Sequence, residues 1–224
     1  MIYVTGDLHG DQSRLVYSKW EKELTKEDYL IVCGDFGFIF ENDYSENRFL
    51  DDLKKRPYTI LFVDGNHENF NAIFQYPVEI WNGGKAHKIR NNIFHLMRGQ
   101  IFEIEGKTFF TMGGAGSIDK YMRQADVSWW CQELPTNEEY EEAIANLKRA
   151  NMKVDYVITH TMPKEMILRY GKLPAPHDIE LTGFLEWVMY EVDFKHWYCG
   201  HWHDDKDLAD NFTILFFDVL PLDE

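Results

Sequence analysis

Five short polar motifs, each closing an apolar run, constrain what this chain can fold into more than any other feature. Asp7-Leu8-His9 follows Ile2-Tyr3-Val4-Thr5, and Gly34-Asp35 follows Tyr29-Leu30-Ile31-Val32-Cys33. Gly65-Asn66-His67-Glu68 follows Thr59-Ile60-Leu61-Phe62-Val63, His160 follows Tyr156-Val157-Ile158-Thr159, and Gly200-His201-Trp202-His203 follows His196-Trp197-Tyr198-Cys199. Apolar runs this short, rich in β-branched and aromatic residues, predict buried strands. In sheet enzymes ligands gather beyond the carboxyl ends of the strands. Five strands thus carry Asp, Asn and His side chains to one edge, which is the composition of a two-metal hydrolytic site.

The intervening segments predict what surrounds those strands. Asp11 to Leu24 and Ser45 to Lys55 read as helices between motif-bearing strands. From Pro77 to Met112 the pattern shifts to short strands and turns, with Asn82-Gly83-Gly84 and Glu105-Gly106-Lys107 as turn signals and a hairpin of 101–104 with 108–112 around the second. Thr136 and Glu139 have the spacing of a capping box, and Tyr140, Ile144 and Leu147 then share one face of a helix to Ala150. Phe184, Leu185, Val188, Met189 and Val192 mark a further amphipathic helix, and a strand pair ending in Phe212-Thr213-Ile214-Leu215-Phe216-Phe217 completes the pattern. Alternating αβ units followed by antiparallel strands predict an α/β (α+β) fold of two packed mixed sheets flanked by helices. The 224 residues suit a single domain, 1–224, with no repeat, low-complexity tract or Pro/Gly/Ser-rich linker to divide it.

Charge narrows the function. The formal net charge is −15 with no Lys/Arg cluster, which argues against an extended nucleic-acid groove, because such grooves draw their affinity from basic groups on phosphates. A small phosphorylated substrate, a nucleotide included, stays compatible, since two bound cations would dominate the local charge. The N-terminus has no basic segment leading into a long apolar stretch, and no apolar run approaches the roughly 18 residues of a membrane span. Cys33, Cys131 and Cys199 are odd in number and lack metal-like spacing; free thiols are expected, with Cys33 and Cys199 buried in strands. A cytoplasmic location fits these features.

Carboxylate oxygen and imidazole nitrogen together suit first-row divalent ions, with Mn the first expectation and Fe, Zn or Ni the alternatives. Five of the nine histidines sit within the five motifs. The ordered series Gly6-Asp7-Leu8-His9-Gly10, Gly34-Asp35, Gly65-Asn66-His67-Glu68, His160 and Gly200-His201-Trp202-His203 resembles the calcineurin-like metallophosphoesterases over residues 6–203. The resemblance implies a four-layer α/β/β/α sandwich with a dinuclear centre at its edge. It assigns Asp7, His9 and His203 to one metal, Asn66, His160 and His201 to the other, and Asp35 to both as a bridge. It implies attack on phosphorus by a metal-bridged hydroxide. His67 becomes the non-ligand histidine that donates a proton or hydrogen bond to the leaving oxygen or the phosphoryl group. One departure matters: the phosphoprotein phosphatases of this superfamily carry the pattern GDxxDRG, whereas here the run is Gly34-Asp35-Phe36-Gly37-Phe38-Ile39. The second Asp, which would orient the catalytic histidine, and the Arg, which would bind phosphate, are both missing. That weakens the case for a serine/threonine phosphatase and leaves His67 without a predicted partner.

Between the third and fourth motifs, Gly113-Gly114-Ala115-Gly116-Ser117 leads into Lys120 and Arg123. A glycine-rich turn after a strand can aim backbone N–H groups at an anion, and Arg can grip phosphate in a fork, so Lys120 and Arg123 are the candidate substrate-binding residues. Similar segments recur in bacterial and phage metallophosphoesterases of unassigned substrate; the alternative is a solvated surface loop. Trp129-Trp130 reads as core packing, with base stacking or a cover for the site as the alternative. Asn82-Gly83-Gly84-Lys85 and the run His95 to Arg98 are weaker basic candidates that read rather as a turn and a strand end, and His87, His177 and His196 read as structural. The function expected is a metal-dependent phosphoric ester hydrolase acting on a phosphomonoester or phosphodiester. Its rivals are a nuclease acting on nucleic-acid ends and a non-catalytic metal-binding scaffold, which would be expected to have lost a ligand or His67.

Overall fold

The computed structural model describes residues 1–16 and 24–222. Its strands are β1 (Ile2–Thr5), β2 (Tyr29–Val32), β3 (Thr59–Phe62), β4 (Val78–Trp81), β5 (Gly84–Arg90), β6 (Ile93–Leu96) and β7 (Gln100–Ile104). They continue as β8 (Lys107–Met112), β9 (Tyr156–Thr159), β10 (His196–Cys199), β11 (Lys206–Ala209), β12 (Phe212–Ile214) and β13 (Val219–Pro221). One sheet has the order β13-β1-β2-β3-β6-β5-β4 and the other β11-β12-β10-β9-β8-β7. In each, the central strands are parallel: β1, β2, β3 and β6 in the first, and β8, β9, β10 and β12 in the second. Antiparallel strands flank both.

The helices are α1 (Ser13–Val16), α2 (Tyr44–Leu53), α3 (Phe70–Ile73), α4 (Asn137–Arg149), α5 (Lys164–Arg169) and α6 (Ile179–Glu191). The sheets face each other across one apolar layer, and each packs helices on its outer face. Strand periodicity shows this directly. Leu30, Val32, Ile60 and Phe62 join an outer core with Leu15, Leu50 and Ile73, while the alternate residues Ile31, Cys33, Leu61 and Val63 join the inter-sheet core with Phe109, Ile158 and Tyr198. On the second sheet, Val157, Trp197 and Cys199 turn outward to Leu147, Met166 and Leu185. Strands buried on both faces read as unbroken apolar runs rather than alternating ones, which is why five of them stand out in the sequence. The expected α/β/β/α sandwich of two mixed sheets is what the structure shows.

Local signals act as their chemistry dictates. Thr136 Oγ1 accepts from the Glu139 N–H while Glu139 accepts from the Thr136 N–H, so the capping box forms and starts α4. The β7–β8 hairpin turns through Glu105 (φ 52°) and Gly106 (φ 72°), the doubly left-handed turn that matches strand twist. The predicted helix from Asp11 to Leu24 is seen as α1 at Ser13–Val16; residues 17–23 lie outside the described residues, and Leu24 is not helical. The last predicted strand is shorter than expected. β12 stops at Ile214 because the Asp205 carboxylate accepts the N–H groups of Phe216, Phe217 and Asp218 and draws that backbone out of the sheet. All three cysteines are free, with Cys33 and Cys199 buried. Among the described residues, no helix is long and apolar enough to cross a membrane.

Candidate metal centre

Because β1, β2 and β3 are adjacent and parallel, as are β9 and β10, their carboxyl ends open on one edge, and the residues after them meet there. Asp7, Asp35, Asn66 and His160 are buried, while His9 and His203 sit at the solvent side. His203 Nε2 lies 3.1 Å from Asp7 Oδ2, His9 Nε2 lies 3.7 Å from the same oxygen, and the two ring nitrogens are 3.0 Å apart. On the other side, His160 Nε2 is 3.1 Å from Asn66 Oδ1 and 3.2 Å from His201 Nδ1. Asp35 stands between the groups: its Oδ2 is 3.8 Å from His9 Nε2 and 3.5 Å from His160 Nε2. All seven residues expected to hold metal are therefore brought together.

Backbone strain marks the same place. His9 (φ 49°), Asp35 (φ 46°), His201 (φ 68°) and His203 (φ 49°) adopt the left-handed region, which costs a non-glycine residue energy and concentrates at functional sites. Gly34 (φ 94°) and Gly200 make the close approach possible: a Cβ on the first would strike the His160 ring, and on the second the Asp7 carboxylate.

The electrostatics are unresolved within the protein. His160 Nδ1 donates to the Cys33 carbonyl at 2.9 Å, which aims the Nε2 lone pair into the cluster. Nε2 then faces an amide oxygen and a carboxylate, and His9 Nε2 faces His203 Nε2. Nitrogen and oxygen atoms crowded in this way are donors that a divalent cation would draw on. Atoms of Asp7, His9 and His203, and of Asp7, Asp35 and His160, lie within 4.8 Å of one another. Asp7 reaches both groups, but its approach to His160 is to Nδ1, the nitrogen already committed to Cys33. Burial, reinforced by the charge of Asp7, raises the Asp35 carboxyl above its usual range despite His160 and His67. Burial and the neighbouring His160 hold His201 down to about 3, so it presents a neutral ring. Mixed carboxylate, amide and imidazole donors suit first-row divalent ions.

His67 stands apart from these donors. Its N–H donates to Asp35 Oδ1 at 2.7 Å, which fixes its backbone, while its ring meets Arg123. Arg123 packs its guanidinium against the ring, with Nη1 3.2 Å from His67 Nδ1 and Nη2 3.5 Å from Nε2. Burial holds His67 below its usual value, and Arg123 adds to that effect while Asp35 opposes it. Arg123 is itself clamped by Asp119 at 2.9 Å and by the Ser128 carbonyl at 3.3 Å. The partner that the second motif lacks thus arrives from a loop 56 residues downstream of His67, and it is a cation rather than a carboxylate. Lys120, in contrast, is not among the residues lining the cavity: its ammonium lies over the Trp129 ring at 5.7 Å. Trp130 is buried against Phe40, as core packing predicts.

Several residues at the site carry no sequence signal. Glu133 accepts from the Ser117 N–H at 2.9 Å and from Ser117 Oγ at 3.0 Å, and Asn66 Nδ2 donates to that Oγ at 3.2 Å. This chain holds the Asn66 amide so that its oxygen faces His160. Burial pushes Glu133 up to about 7. Asp178 Oδ1 accepts from the Gly116 N–H at 2.6 Å, and His177 Nε2 donates to the Gly116 carbonyl at 2.8 Å. Glu68 Oε1 accepts from the Phe36 N–H at 2.6 Å, tying the third motif to the loop after the second. Arg14 reaches the Asp7 carbonyl. Of these, Ser117 lies in the glycine segment and Glu68 in the third motif; the lone carboxylates Glu133 and Asp178, in aperiodic stretches, give nothing to read. Above the cluster lies a cavity of about 540 Å³, lined by Asp35, Asn66, His67, His201 and His203 below and by two loops, 116–123 and 172–178, at its sides.

Three comparisons bear on this geometry. The family described as calcineurin-like phosphoesterase matches residues 1–205. The chain is similar to a lariat debranching enzyme of Danio rerio, 24% identical over 200 residues; the match covers 78% of this chain and 33% of that protein, so the chain spans about a third of the relative's length. Among solved structures it is similar to a phosphopantetheinyl hydrolase of Mycobacterium tuberculosis, with a TM-score of 0.44 and 16% identity over 96% of this chain and 87% of that one.

Proposed function

We propose, from the premise that this chain belongs to the calcineurin-like phosphoesterase family, that it hydrolyses a small phosphorylated substrate at a dinuclear centre of divalent cations, Mn first among them. The single observation that carries this reading is the convergence of lone pairs from Asp7, His9 and His203 on one side and Asn66, His160 and His201 on the other, with Asp35 reaching both. Bound there, two such cations would supply Lewis acidity, activating water and offsetting charge on the phosphoryl oxygens.

The protein's own groups account for the rest. Hydrolysis joins a water oxygen to phosphorus and breaks the phosphorus–oxygen bond to the leaving group. His67, a neutral ring with one N–H, delivers that proton to the leaving oxygen, and a proton released by the water restores it. Arg123 orients the ring through contacts to both of its nitrogens. Its guanidinium also lines the cavity, where it can receive phosphoryl oxygens. A nuclease reading is second, favoured by the similarity to a lariat debranching enzyme; the net charge of −15 speaks against an extended groove.

Metal analysis combined with His67→Ala tests the assignment. Loading with Mn²⁺ should approach two equivalents per chain. His67→Ala should keep that content while kcat falls by roughly 10²–10⁴-fold, and the fall should shrink for substrates with good leaving groups. Loss of metal in step with activity would make His67 a ligand and overturn its role.

A further inference from the structure

The cavity has a polar floor and a mixed wall, in which an apolar strip stands beside Asp119, Arg123, Lys172 and Asp178. Ile118 belongs to the loop after β8, and Leu173 to the segment after α5; they are 74% and 82% exposed, and both line the same cavity. A single exposed aliphatic side chain is ordinary. Here two from separate segments converge with Ile167, Ala175 and Trp202 on one space. Among the described lining residues, Arg123 and Lys172 are the cations apart from the histidines, and Arg123 is already paired with Asp119. A polyanion or a sugar-rich ester would leave this wall unmatched. Small-molecule sites of roughly 300–1,000 Å³ combine apolar walls with a few placed polar groups, and this cavity, at about 540 Å³, has that form.

We propose that the substrate is a phosphoester whose organic group is apolar, an alkyl or aryl ester seated against Ile118, Leu173 and Trp202 with its phosphoryl group on the floor. The assignment rests on the phosphoesterase reading above and names its substrate class. Arg123 and the cluster fix the phosphoryl end. The organic group then extends toward the mouth, where Ile118 and Leu173 meet it and lose contact with water. Burial of each methylene is worth about fourfold in affinity, so chain length becomes the measurable variable.

Alkylphosphonates present the same dianionic head on a carbon–phosphorus bond that hydrolysis does not break. Methyl-, butyl- and hexylphosphonate are titrated calorimetrically into the Mn²⁺-loaded protein. The proposal expects affinity to rise at least tenfold from methyl to hexyl, with a heat-capacity change that grows more negative along the series. Ile118→Ser and Leu173→Ser should each cut the rise to below threefold. A flat series in the unaltered protein overturns the proposal without recourse to any variant, and so does tighter binding of a tetrathymidylate than of hexylphosphonate. Turnover is scored separately, as Mn²⁺-dependent release of nitrophenol from p-nitrophenyl phosphate and bis(p-nitrophenyl) phosphate. A steep phosphonate series without turnover of either ester would remove the phosphoesterase reading and leave the apolar pocket standing.

Discussion

Asp35 and Asp64 are both fully buried, both just past the ends of neighbouring strands, and have opposite fates. Asp64 is enclosed by partners: Arg98 Nε donates at 2.9 Å, Arg98 Nη2 at 2.5 Å and His95 Nε2 at 3.0 Å, while His95 in turn meets His87 at 3.0 Å. Burial opposes its ionisation, but Arg98 and His95 outweigh burial and hold the carboxyl far below its usual range. Asp35 has a backbone donor on one oxygen and turns the other toward imidazole nitrogens. Burial and Asp7 raise it. Depth and residue type are the same; what differs is whether the fold supplies the countercharge. Where it does, the carboxylate is structural, and where it does not, the site is built to take charge from outside.

Substitution can break that comparison. Asp64→Asn leaves the Arg98 guanidinium buried without its carboxylate, so metal-free protein should lose about 3–5 kcal/mol in urea unfolding. The pH sign follows. A depressed folded pKa gives stability that is present above the ordinary 3.8 and is lost as pH falls below it, so part of the acid unfolding of the native protein should vanish in Asp64→Asn. Asp35→Asn should behave in the opposite way. Its folded pKa is raised, so its contribution is present below 3.8 and is lost as pH rises, and at neutral pH ionisation costs stability. The Asn keeps an oxygen for the His67 N–H and removes the charge. Metal-free protein should therefore unfold at the same or higher urea, while the stabilisation that Mn²⁺ gives the native protein should largely disappear. Equal destabilisation by both substitutions in metal-free protein would end the distinction.

The contrast also explains what could be read from the sequence. Asp7, Asp35, Asn66, His160 and His201 were legible because each follows a strand buried on both faces, and such strands announce themselves as apolar runs. The same was true of the capping box at Thr136 and the turn at Glu105-Gly106, which are local devices. Arg98 as the partner of Asp64, 34 residues away, was not legible, nor was Glu133 behind Asn66, because contacts across the sandwich leave no periodic trace. Left-handed backbone at His9, Asp35, His201 and His203 runs against residue preference and shows only in coordinates. His95 read as a strand end and proved to be a buried link to Asp64.

A smaller effect sharpens the comparison at Asn66, whose amide is held from behind as Asp64 is, though by neutral hydrogen bonds. Ser117→Ala removes the acceptor for Asn66 Nδ2 at 3.2 Å and the donor to Glu133 at 3.0 Å. Freed to rotate, the amide can turn its nitrogen toward His160. Apparent affinity for the second Mn²⁺ equivalent should fall by roughly 10–100-fold, the usual cost of losing an outer partner of a ligand, with the first equivalent little changed. Equal weakening of both equivalents would show a general loosening of the site instead.

Arg123 and Lys120 give the finest comparison, since both stood as substrate-binding candidates three residues apart. The structure separates them: Arg123 reaches His67 and lines the cavity, whereas Lys120 rests on Trp129. Arg123→Ala should lower kcat/KM by about 1.5–3 kcal/mol in transition-state terms, as for a lost charge-assisted hydrogen bond. Part of that loss should appear in kcat, because His67 loses the guanidinium that orients its ring. Lys120→Ala should change kcat/KM by less than about twofold, since a cation stacked on a half-buried ring contributes about 0.5–1 kcal/mol locally and none of it at phosphorus. Steady-state kinetics on a monoester and a diester measure both. If Lys120→Ala matches Arg123→Ala on either substrate, the loop after β8 closes over the bound ester in a way that brings the ammonium inward, and the cavity wall described for the free protein is not the one that the substrate meets.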